Sequence, residues 1–285
     1  MNSTCYLCKG SKFTKRPGEV RDIKSLDILE CDNCGLVQLS DFSHIAPDHY
    51  ESSKMHDSEP ISIEDWQKDF DVEEDARRHY ECYESIISGK DVLDFGSGSC
   101  NFLEKASKVA ASVGGVEPEK RIRDAFGKKY NLYENIETTA GQYDIITAFH
   151  VIEHIIDPIE ILRKLGKKLK DESSRIIIEV PSSSDALLTL YGNSSFQKFT
   201  YWSQHLYLFN ASTLRKLIQL AGLNIICIKE TQRYGIANHL YWLCQGKPGG
   251  HKVWSFLNDP ILNNAYANKL GTLGLCDTLI AEISL

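Results

Sequence analysis

VLDFGSGSCNFL at residues 92–103 is the stretch of sequence that decides the fold of this chain. Its apolar run ends in an acid, two alternate glycines follow, and a helix-like segment begins after them. Residues 92–95 suit a buried central strand of a parallel sheet. Gly96 and Gly98 allow the tight turn and close backbone approach that a bulky ligand needs. The pattern favours a nucleotide-like cofactor on an α/β sheet, although such a turn also closes ordinary strand–helix connections.

Length and composition indicate one large α/β domain with a small appendage. The 285 residues are 42% hydrophobic and 25% charged, with nine cysteines and a formal charge of −7. The negative charge disfavours nucleic acid and anionic membranes as partners. No apolar run is long enough for a membrane span, and the N-terminus lacks a signal-peptide pattern. These features predict a cytoplasmic protein whose paired thiols are more often metal ligands than disulfides.

Two C-x-x-C pairs near the N-terminus predict a zinc ribbon over residues 1–43. Cys5 and Cys8 form one pair, Cys31 and Cys34 form the other, and 22 residues separate them. Two such knuckles complete the tetrahedral four-thiolate shell of a structural Zn²⁺ ion. Free thiols, disulfides and iron are the alternatives.

The charge of this ribbon is nearly balanced. Residues 1–40 hold six lysines and arginines against five acids, and six minus five leaves about one positive charge. That surface is poorly suited to following a phosphate backbone. A role in folding, docking or covering the next domain is the expectation.

Residues 44–61 are polar and are predicted to form a linker or a substrate-side loop. His49, Tyr50 and His56 could reach a ligand from it, although loop side chains are more often solvated. An amphipathic helix is predicted to follow. Its apolar positions are Ile63, Trp66, Phe70, Tyr80, Tyr83 and Ile87.

A second acid at a predicted strand end strengthens the cofactor interpretation. Glu117 stands 19 positions after Gly98, where a nucleotide-binding sheet places a carboxylate that accepts hydrogen bonds from both ribose hydroxyls. Further strands are predicted at residues 143–149 and 175–180. HVIEHIIDP follows the first of these two strands.

Taken in order, these segments resemble a class I S-adenosylmethionine-dependent methyltransferase over residues 62–285. The resemblance rests on VLDFGSGSCNFL, Glu117, YDIITAFHVIEHIIDP and RIIIEVP. It implies a Rossmann-like, mostly parallel seven-stranded sheet with helices on both faces, closed by an antiparallel last strand in CDTLIAEISL. One departure is Cys100, which stands where this family usually carries a third glycine.

The resemblance also implies the residues that hold the cofactor, S-adenosylmethionine. The methionine end would lie on the glycine turn, the ribose on Glu117, and the adenine near residues 134–136. The implied cofactor-binding residues are Asp94, Gly96, Ser97, Gly98, Glu117, Pro118, Asn135, Phe149 and His150.

The predicted general base is a histidine, since methyl transfer to oxygen or carbon needs alignment and a base that titrates near neutrality. His205 is the preferred candidate, Tyr201 is its helper or alternative, and His154 is the third. His205 and Tyr201 lie in an insertion at about residues 184–210, whose aromatic side chains are expected to form a wall or lid. Packing is the alternative for these seven aromatics: Tyr191, Phe196, Phe199, Tyr201, Trp202, Tyr207 and Phe209.

The acceptor is expected to be a small molecule. A zinc ribbon before such a domain is similar to the arrangement in deoxysugar C-methyltransferases, which usually continue into a further domain absent from these 285 residues. The expected reaction is therefore O-methylation of a nucleotide-linked or surface-polysaccharide sugar. A zinc-ribbon RNA methyltransferase and a non-catalytic cofactor-binding module are the alternatives, and a homo-oligomer is compatible with the second aromatic stretch at residues 234–256.

Overall fold

The computed structural model describes residues 4–46, 49–51 and 62–285. Two sheets organise them, a seven-stranded central sheet and a four-stranded N-terminal sheet. The strands are β1 (Phe13–Lys15), β2 (Ile28–Cys31), β3 (Val37–Leu39), β4 (Asp91–Phe95), β5 (Ser112–Val116), β6 (Asn131–Tyr133), β7 (Ile145–Phe149), β8 (Arg175–Pro181), β9 (Tyr207–Leu208), β10 (Asn224–Thr231) and β11 (Thr278–Ser284). The helices are α1 (Ile63–Lys68), α2 (Phe70–Ile87), α3 (Asn101–Ala106), α4 (Lys120–Phe126), α5 (Pro158–Gly166), α6 (Ser194–Thr200), α7 (Ala211–Leu220), α8 (Ile236–Gln245), α9 (Gly250–Val253) and α10 (Pro260–Leu273).

The central sheet has the order β10-β11-β8-β7-β4-β5-β6. From β6 to β8 all neighbours are parallel, whereas β11 runs antiparallel to both β8 and β10. The expected Rossmann-like sheet, with its antiparallel last strand, is confirmed. β4 and β8 lie inside it because their side chains are apolar on both faces: Leu93 and Ile177 are both fully buried.

The predicted helix over residues 63–87 is broken in two. Asp69 has extended backbone angles (φ −58°, ψ 129°), so α1 ends before it and α2 begins after it. Its carboxylate accepts hydrogen bonds from the main-chain N–H groups of Asp71 (3.0 Å) and Val72 (3.1 Å). Asp69 therefore caps α2, because it satisfies two of the N–H groups that a helix start leaves unpaired.

The N-terminal sheet, of order β1-β2-β3-β9, takes its last strand from the predicted insertion. Val37 of β3 pairs with Leu208 of β9, and Gln38 pairs with Tyr207. Apolar residues of this N-terminal segment and of the central sheet belong to one continuous hydrophobic core. The cysteine-bearing segment and the insertion thus share one sheet. The domain boundary predicted at residue 43 does not separate them in the structure.

Other differences from the predicted elements are small. The helix after the glycine turn spans Asn101–Ala106, and β7 begins at Ile145 rather than at residue 143. Within the described ranges, none of the helices combines the length and apolar character needed to cross a bilayer.

Candidate active site

A cavity of about 440 Å³ opens at the carboxyl ends of β4, β5 and β7. This edge is where open α/β sheets bind their ligands. All nine predicted cofactor-binding residues lie in its wall: Asp94, Gly96, Ser97, Gly98, Glu117, Pro118, Asn135, Phe149 and His150.

The glycine turn after β4 brings the backbone close to the cavity. Gly96 has φ +83°, and a Cβ atom added there would lie 2.4 Å from Val151 Cγ2. Gly98 has φ +47° and packs against the ring of Trp66. Cys100 also adopts the left-handed region, at φ 63°, and its side chain is fully buried. The turn thus accepts the cysteine in place of a third glycine, in a conformation that usually favours glycine.

Among the described residues, three buried carboxyls line this cavity, Asp94, Glu117 and Glu119, and the third is paired with an arginine. Asp94, 4% exposed, accepts a hydrogen bond from Thr147 Oγ1 at 2.6 Å. Glu117, 8% exposed, accepts from the main-chain N–H groups of Gly98 and Glu119, both at 2.8 Å. Burial raises the pKa of Asp94 and of Glu117 to about 7, and the charge of Glu117 adds to the rise at Asp94. Such a pair favours a ligand that brings positive charge and hydroxyl donors.

The rest of the cofactor wall comes from loops after β6 and β7. Asn135 accepts a hydrogen bond from the N–H of Thr138 (3.0 Å) and starts a short 3₁₀ turn that places buried Ile136 beside the cavity. Phe149 stacks on His79, with ring centroids 3.7 Å apart and planes 7° apart. Ile136 and Phe149 thus add apolar side chains to the cavity wall.

His150 follows Phe149 with a positive φ of 54°. Its Nδ1 lies 3.4 Å from Glu153 Oε1, and its Nε2 lies 2.9 Å from Glu179 Oε1. Burial and the nearby Arg233 oppose a charge on the imidazole, but the two glutamates outweigh them and raise the pKa of His150 to about 9. Both ring nitrogens of His150 thus face glutamate oxygens, so the ring is not free to act as a base.

Of the three predicted catalytic side chains, His154 lines the cavity, whereas His205 and Tyr201 do not. His205 lies directly behind His154, with ring centroids 5.1 Å apart. Burial, with the nearby His154, lowers the pKa of His205 to about 4. Tyr201 is 3% exposed and packs on Gly18, where an added Cβ atom would meet its ring at 2.9 Å.

The aromatic insertion does not form the expected lid, since none of its seven aromatic side chains lines the cavity. Tyr207 packs against the rings of Tyr6 (5.2 Å) and Phe42 (5.3 Å) of the N-terminal segment. Phe196 packs against Trp242 at 5.1 Å. Three of the seven rings are buried and two are exposed, so packing rather than a lid is the interpretation that the structure supports: Tyr201, Tyr207 and Phe209 are buried, and Tyr191 and Phe199 are exposed.

The cavity wall also includes residues that are not among the predicted site residues. Tyr50 lines the cavity, and its hydroxyl donates a hydrogen bond to the carbonyl of His154 at 2.7 Å. Asp75 and His79 of α2 line it as well. His49 is 5% exposed and bonds to Gln204 rather than lining the cavity, and His56 lies outside the described residues.

The four N-terminal cysteines converge, with their sulfur atoms all within 4.8 Å of one another. Cys5 Sγ lies 3.5 Å from Cys34 Sγ, and Cys8 Sγ lies 3.4 Å from Cys31 Sγ. These separations are far longer than a disulfide bond. They are close to the spacing of about 3.8 Å expected for four thiolates around one Zn²⁺ ion, so the donor set fits that metal.

Comparison with known proteins identifies the domain type. A family model described as a methyltransferase domain matches residues 69–228. The ubiquinone biosynthesis O-methyltransferase of Psychrobacter cryohalolentis is 25% identical over 135 residues, which cover 40% of this chain and 50% of the relative. The chain thus spans about half the length of that curated relative.

Solved structures share the fold at low identity. A SAM-dependent methyltransferase from Archaeoglobus fulgidus has a TM-score of 0.52 and 17% identity, covering 75% of this chain and 94% of its own. Coclaurine N-methyltransferase bound to N-methylheliamine and SAH has a TM-score of 0.53 and 12% identity, covering 83% and 82% of the two chains. At these identities the likeness is one of fold.

Proposed function

Because this chain belongs to the family of methyltransferase domains whose model matches residues 69–228, we propose that it transfers a methyl group from S-adenosylmethionine to a hydroxyl of a small-molecule acceptor. The observation that carries this proposal is the pair of buried carboxyls, Asp94 and Glu117, around a glycine turn on the cavity. A ligand with a sulfonium, an ammonium group and a ribose diol complements that wall in both charge and hydrogen bonding.

Each part of the cavity then has an assigned role. Asp94 and the turn at residues 96–98 hold the methionine end, and Glu117 accepts hydrogen bonds from the ribose hydroxyls. Residues 134–136 flank the adenine, while Phe149 and His150 flank the reacting end. The bound cofactor supplies an electrophilic methyl group, so the chain must align the acceptor and handle the proton of its hydroxyl.

The acceptor end is proposed to be the wall formed by Tyr50, Asp75, His79 and His154. His154 is the predicted catalytic residue that reaches the cavity, and His205 touches this wall through His154. His205 is therefore proposed as a positioning residue. Its place behind His154 argues against direct contact with the acceptor, and its low pKa argues against a role as the general base near neutral pH.

The acceptor itself is proposed within the class of small hydroxyl compounds. The ubiquinone biosynthesis O-methyltransferase relative favours transfer to oxygen, and the pairing of a cysteine cluster with this domain favours a nucleotide-linked or surface-polysaccharide sugar as the acceptor. The cysteine cluster is proposed to hold a structural Zn²⁺ ion that ties together β1, β2 and the knuckles next to them.

A methyl-transfer screen tests the proposal. The protein is incubated with S-adenosylmethionine and separate panels of nucleotide sugars, small phenols and RNA, and products are read by mass spectrometry. We expect one small-molecule panel to yield a product heavier by one methylene, with less product from Glu117→Gln. Methylation of RNA alone would contradict the small-molecule proposal.

A further inference from the structure

A buried carboxylate that has no role in the proposed methyl transfer lies next to the acceptor side of the cavity. Glu153 is fully buried, and neither of its oxygens has a hydrogen-bond partner in the part of the chain that the structure describes. Ring nitrogens of His150 and His154 approach Oε1 to 3.4 and 3.9 Å. Buried carboxylates are normally hydrogen-bonded, paired or bound to a metal; here the imidazoles face Oε1 alone, and Oε2 has no partner among the described residues, so the carboxylate can still bind a ligand.

Two imidazoles near Glu153 are held with their free nitrogens available. Nδ1 of His154 lies 2.8 Å from the carbonyl oxygen of Gln204, and Nδ1 of His205 lies 2.9 Å from that of Thr200. A carbonyl oxygen can only accept, so each Nδ1 carries the proton and donates it. Each Nε2 is left with a lone pair, which is the state of a metal-binding histidine whose other nitrogen is fixed by the backbone.

The three groups converge on one point. Three ligand atoms, one from each of Glu153, His154 and His205, lie within 4.8 Å of one another. We propose that these three side chains bind a divalent first-row transition-metal ion such as Zn²⁺ or Mn²⁺. Two imidazoles and a carboxylate are a recurrent donor set for such ions, whereas Mg²⁺ and Ca²⁺ prefer oxygen ligands alone.

The fold brings the three ligands together from two distant segments. Glu153 and His154 are adjacent in the short 3₁₀ turn Ile152–His154 after β7, and His205 precedes β9. The N–H of Leu206 donates to the carbonyl of Glu153 at 2.9 Å and locks the segments in register. Trp202 packs edge-on against both imidazoles, at 6.1 Å from His154 and 5.6 Å from His205. The ligands are thus oriented before an ion arrives.

This site touches the cavity through His154, on the side proposed for the acceptor. With three protein ligands, the ion keeps open positions that an acceptor oxygen can take. An ion there lowers the pKa of a bound hydroxyl, so it can replace a free general base. This catalytic role rests on the proposed function, whereas ion binding does not.

Metal content per chain tests the site directly. Protein stripped with a chelator is reloaded with Zn²⁺ or Mn²⁺, dialysed and measured by elemental analysis. We expect Glu153→Gln and His205→Gln each to hold one ion fewer per chain than the wild type, whether or not the cysteine cluster is also loaded. His251→Gln, at a histidine bonded to Asp71 on α2, is the matched control and should keep the wild-type content. Equal metal content in all four proteins would overturn the site.

Anomalous diffraction at the metal edge, with crystals of the unaltered chain, covers the case in which a variant fails to fold. A peak between Glu153, His154 and His205 supports the site, and its absence in metal-loaded crystals overturns it. Turnover is measured in the same preparations. Unchanged turnover after loss of this ion overturns the catalytic role. If Glu153→Gln loses the ion and none of the proteins transfers a methyl group, the proposed function is wrong. The metal site is still supported in that case.

Discussion

Glu117 Oε2 accepts a hydrogen bond of 2.8 Å from the main-chain N–H of Gly98, so the end of β5 is tied to the glycine turn after β4. The carboxylate can accept further hydrogen bonds while it holds this one. The same residue therefore shapes the turn and faces the cavity. This double role makes Glu117 the most informative position for testing cofactor binding.

Replacing Glu117 with glutamine is expected to weaken S-adenosylmethionine binding roughly 10- to 100-fold. The reason is that hydrogen bonds to a charged acceptor contribute about 1.5–3 kcal/mol. Titration calorimetry measures the dissociation constant. Glu160→Gln, on the half-buried surface of α5, is the control and should bind as the wild type does. Equal affinity in Glu117→Gln would remove Glu117 from the ribose site.

Replacing Gly96 with alanine is expected to cost more stability than the same change at Gly141. Both glycines have positive φ, +83° and +79°, and an alanine in that region costs about 1–2 kcal/mol. At Gly141 an added Cβ meets nothing within 4 Å, whereas at Gly96 it meets Val151 at 2.4 Å. Thermal unfolding of the two variants isolates this clash. Equal destabilisation would show that the turn has room for a side chain.

The contribution of Asp94 and Glu117 to the free energy of unfolding should fall as pH rises from about 4 to about 7. Burial holds both folded-state pKa values near 7, above unfolded values of roughly 4. The folded state thus binds more protons in that window, and the neutral carboxyls contribute stability that ionisation removes. Asp94→Asn should flatten this part of the pH profile of unfolding free energy. An unchanged slope would contradict the assignment.

Cofactor binding near pH 6.5 should release protons from the same two carboxyls. The positive charges of S-adenosylmethionine favour the ionised form of Asp94, and its ribose hydroxyls favour that of Glu117. Calorimetry in buffers of different ionisation enthalpy measures the release. Asp94→Asn should reduce the release and weaken binding. If Asp94→Asn instead increased the proton release, Asp94 would take up a proton when the cofactor binds. That result would contradict a cationic ligand at this wall.

His205→Gln is expected to lower turnover by about 10- to 100-fold and leave cofactor affinity unchanged. The ring touches His154 rather than the cavity, so its loss disturbs the acceptor end alone. Kinetics of His154→Gln, His205→Gln and the double variant complete the test. Because the two residues act as a unit, the double variant should be little worse than either single one. Fully additive losses of turnover in the double variant would show that His154 and His205 act independently.

The sequence predicted the cavity lining around the glycine turn because that part of the wall is local. A buried strand, two glycines and a strand-end acid at Glu117 determine their own backbone geometry within about 25 residues. The seven-stranded sheet followed from the order of such segments. The helix break at Asp69 was missed, although an aspartate is a frequent N-cap, because the apolar spacing continues across it.

The wall proposed as the acceptor end was harder to predict because it depends on contacts between distant residues. The pairing of Val37 with Leu208 leaves no local pattern, so the aromatic insertion looked like a lid rather than part of a buried sheet. One usable signal was overlooked on α2, where Val72, Asp75, Ala76 and His79 all line the cavity. These positions recur at i, i+3, i+4 and i+7, and two polar side chains on an otherwise apolar helix face indicate a ligand.

The most direct test of the account is transfer of an isotopically labelled methyl group from S-adenosylmethionine. The wild-type chain is incubated with the labelled cofactor and the small-molecule panels, and both the acceptor and S-adenosylhomocysteine are measured. We expect the label to appear in one hydroxyl compound in a one-to-one ratio with S-adenosylhomocysteine, and Glu117→Gln to reduce both. Cofactor bound in the cavity with no label transferred to any small-molecule acceptor would contradict the proposed methyl transfer.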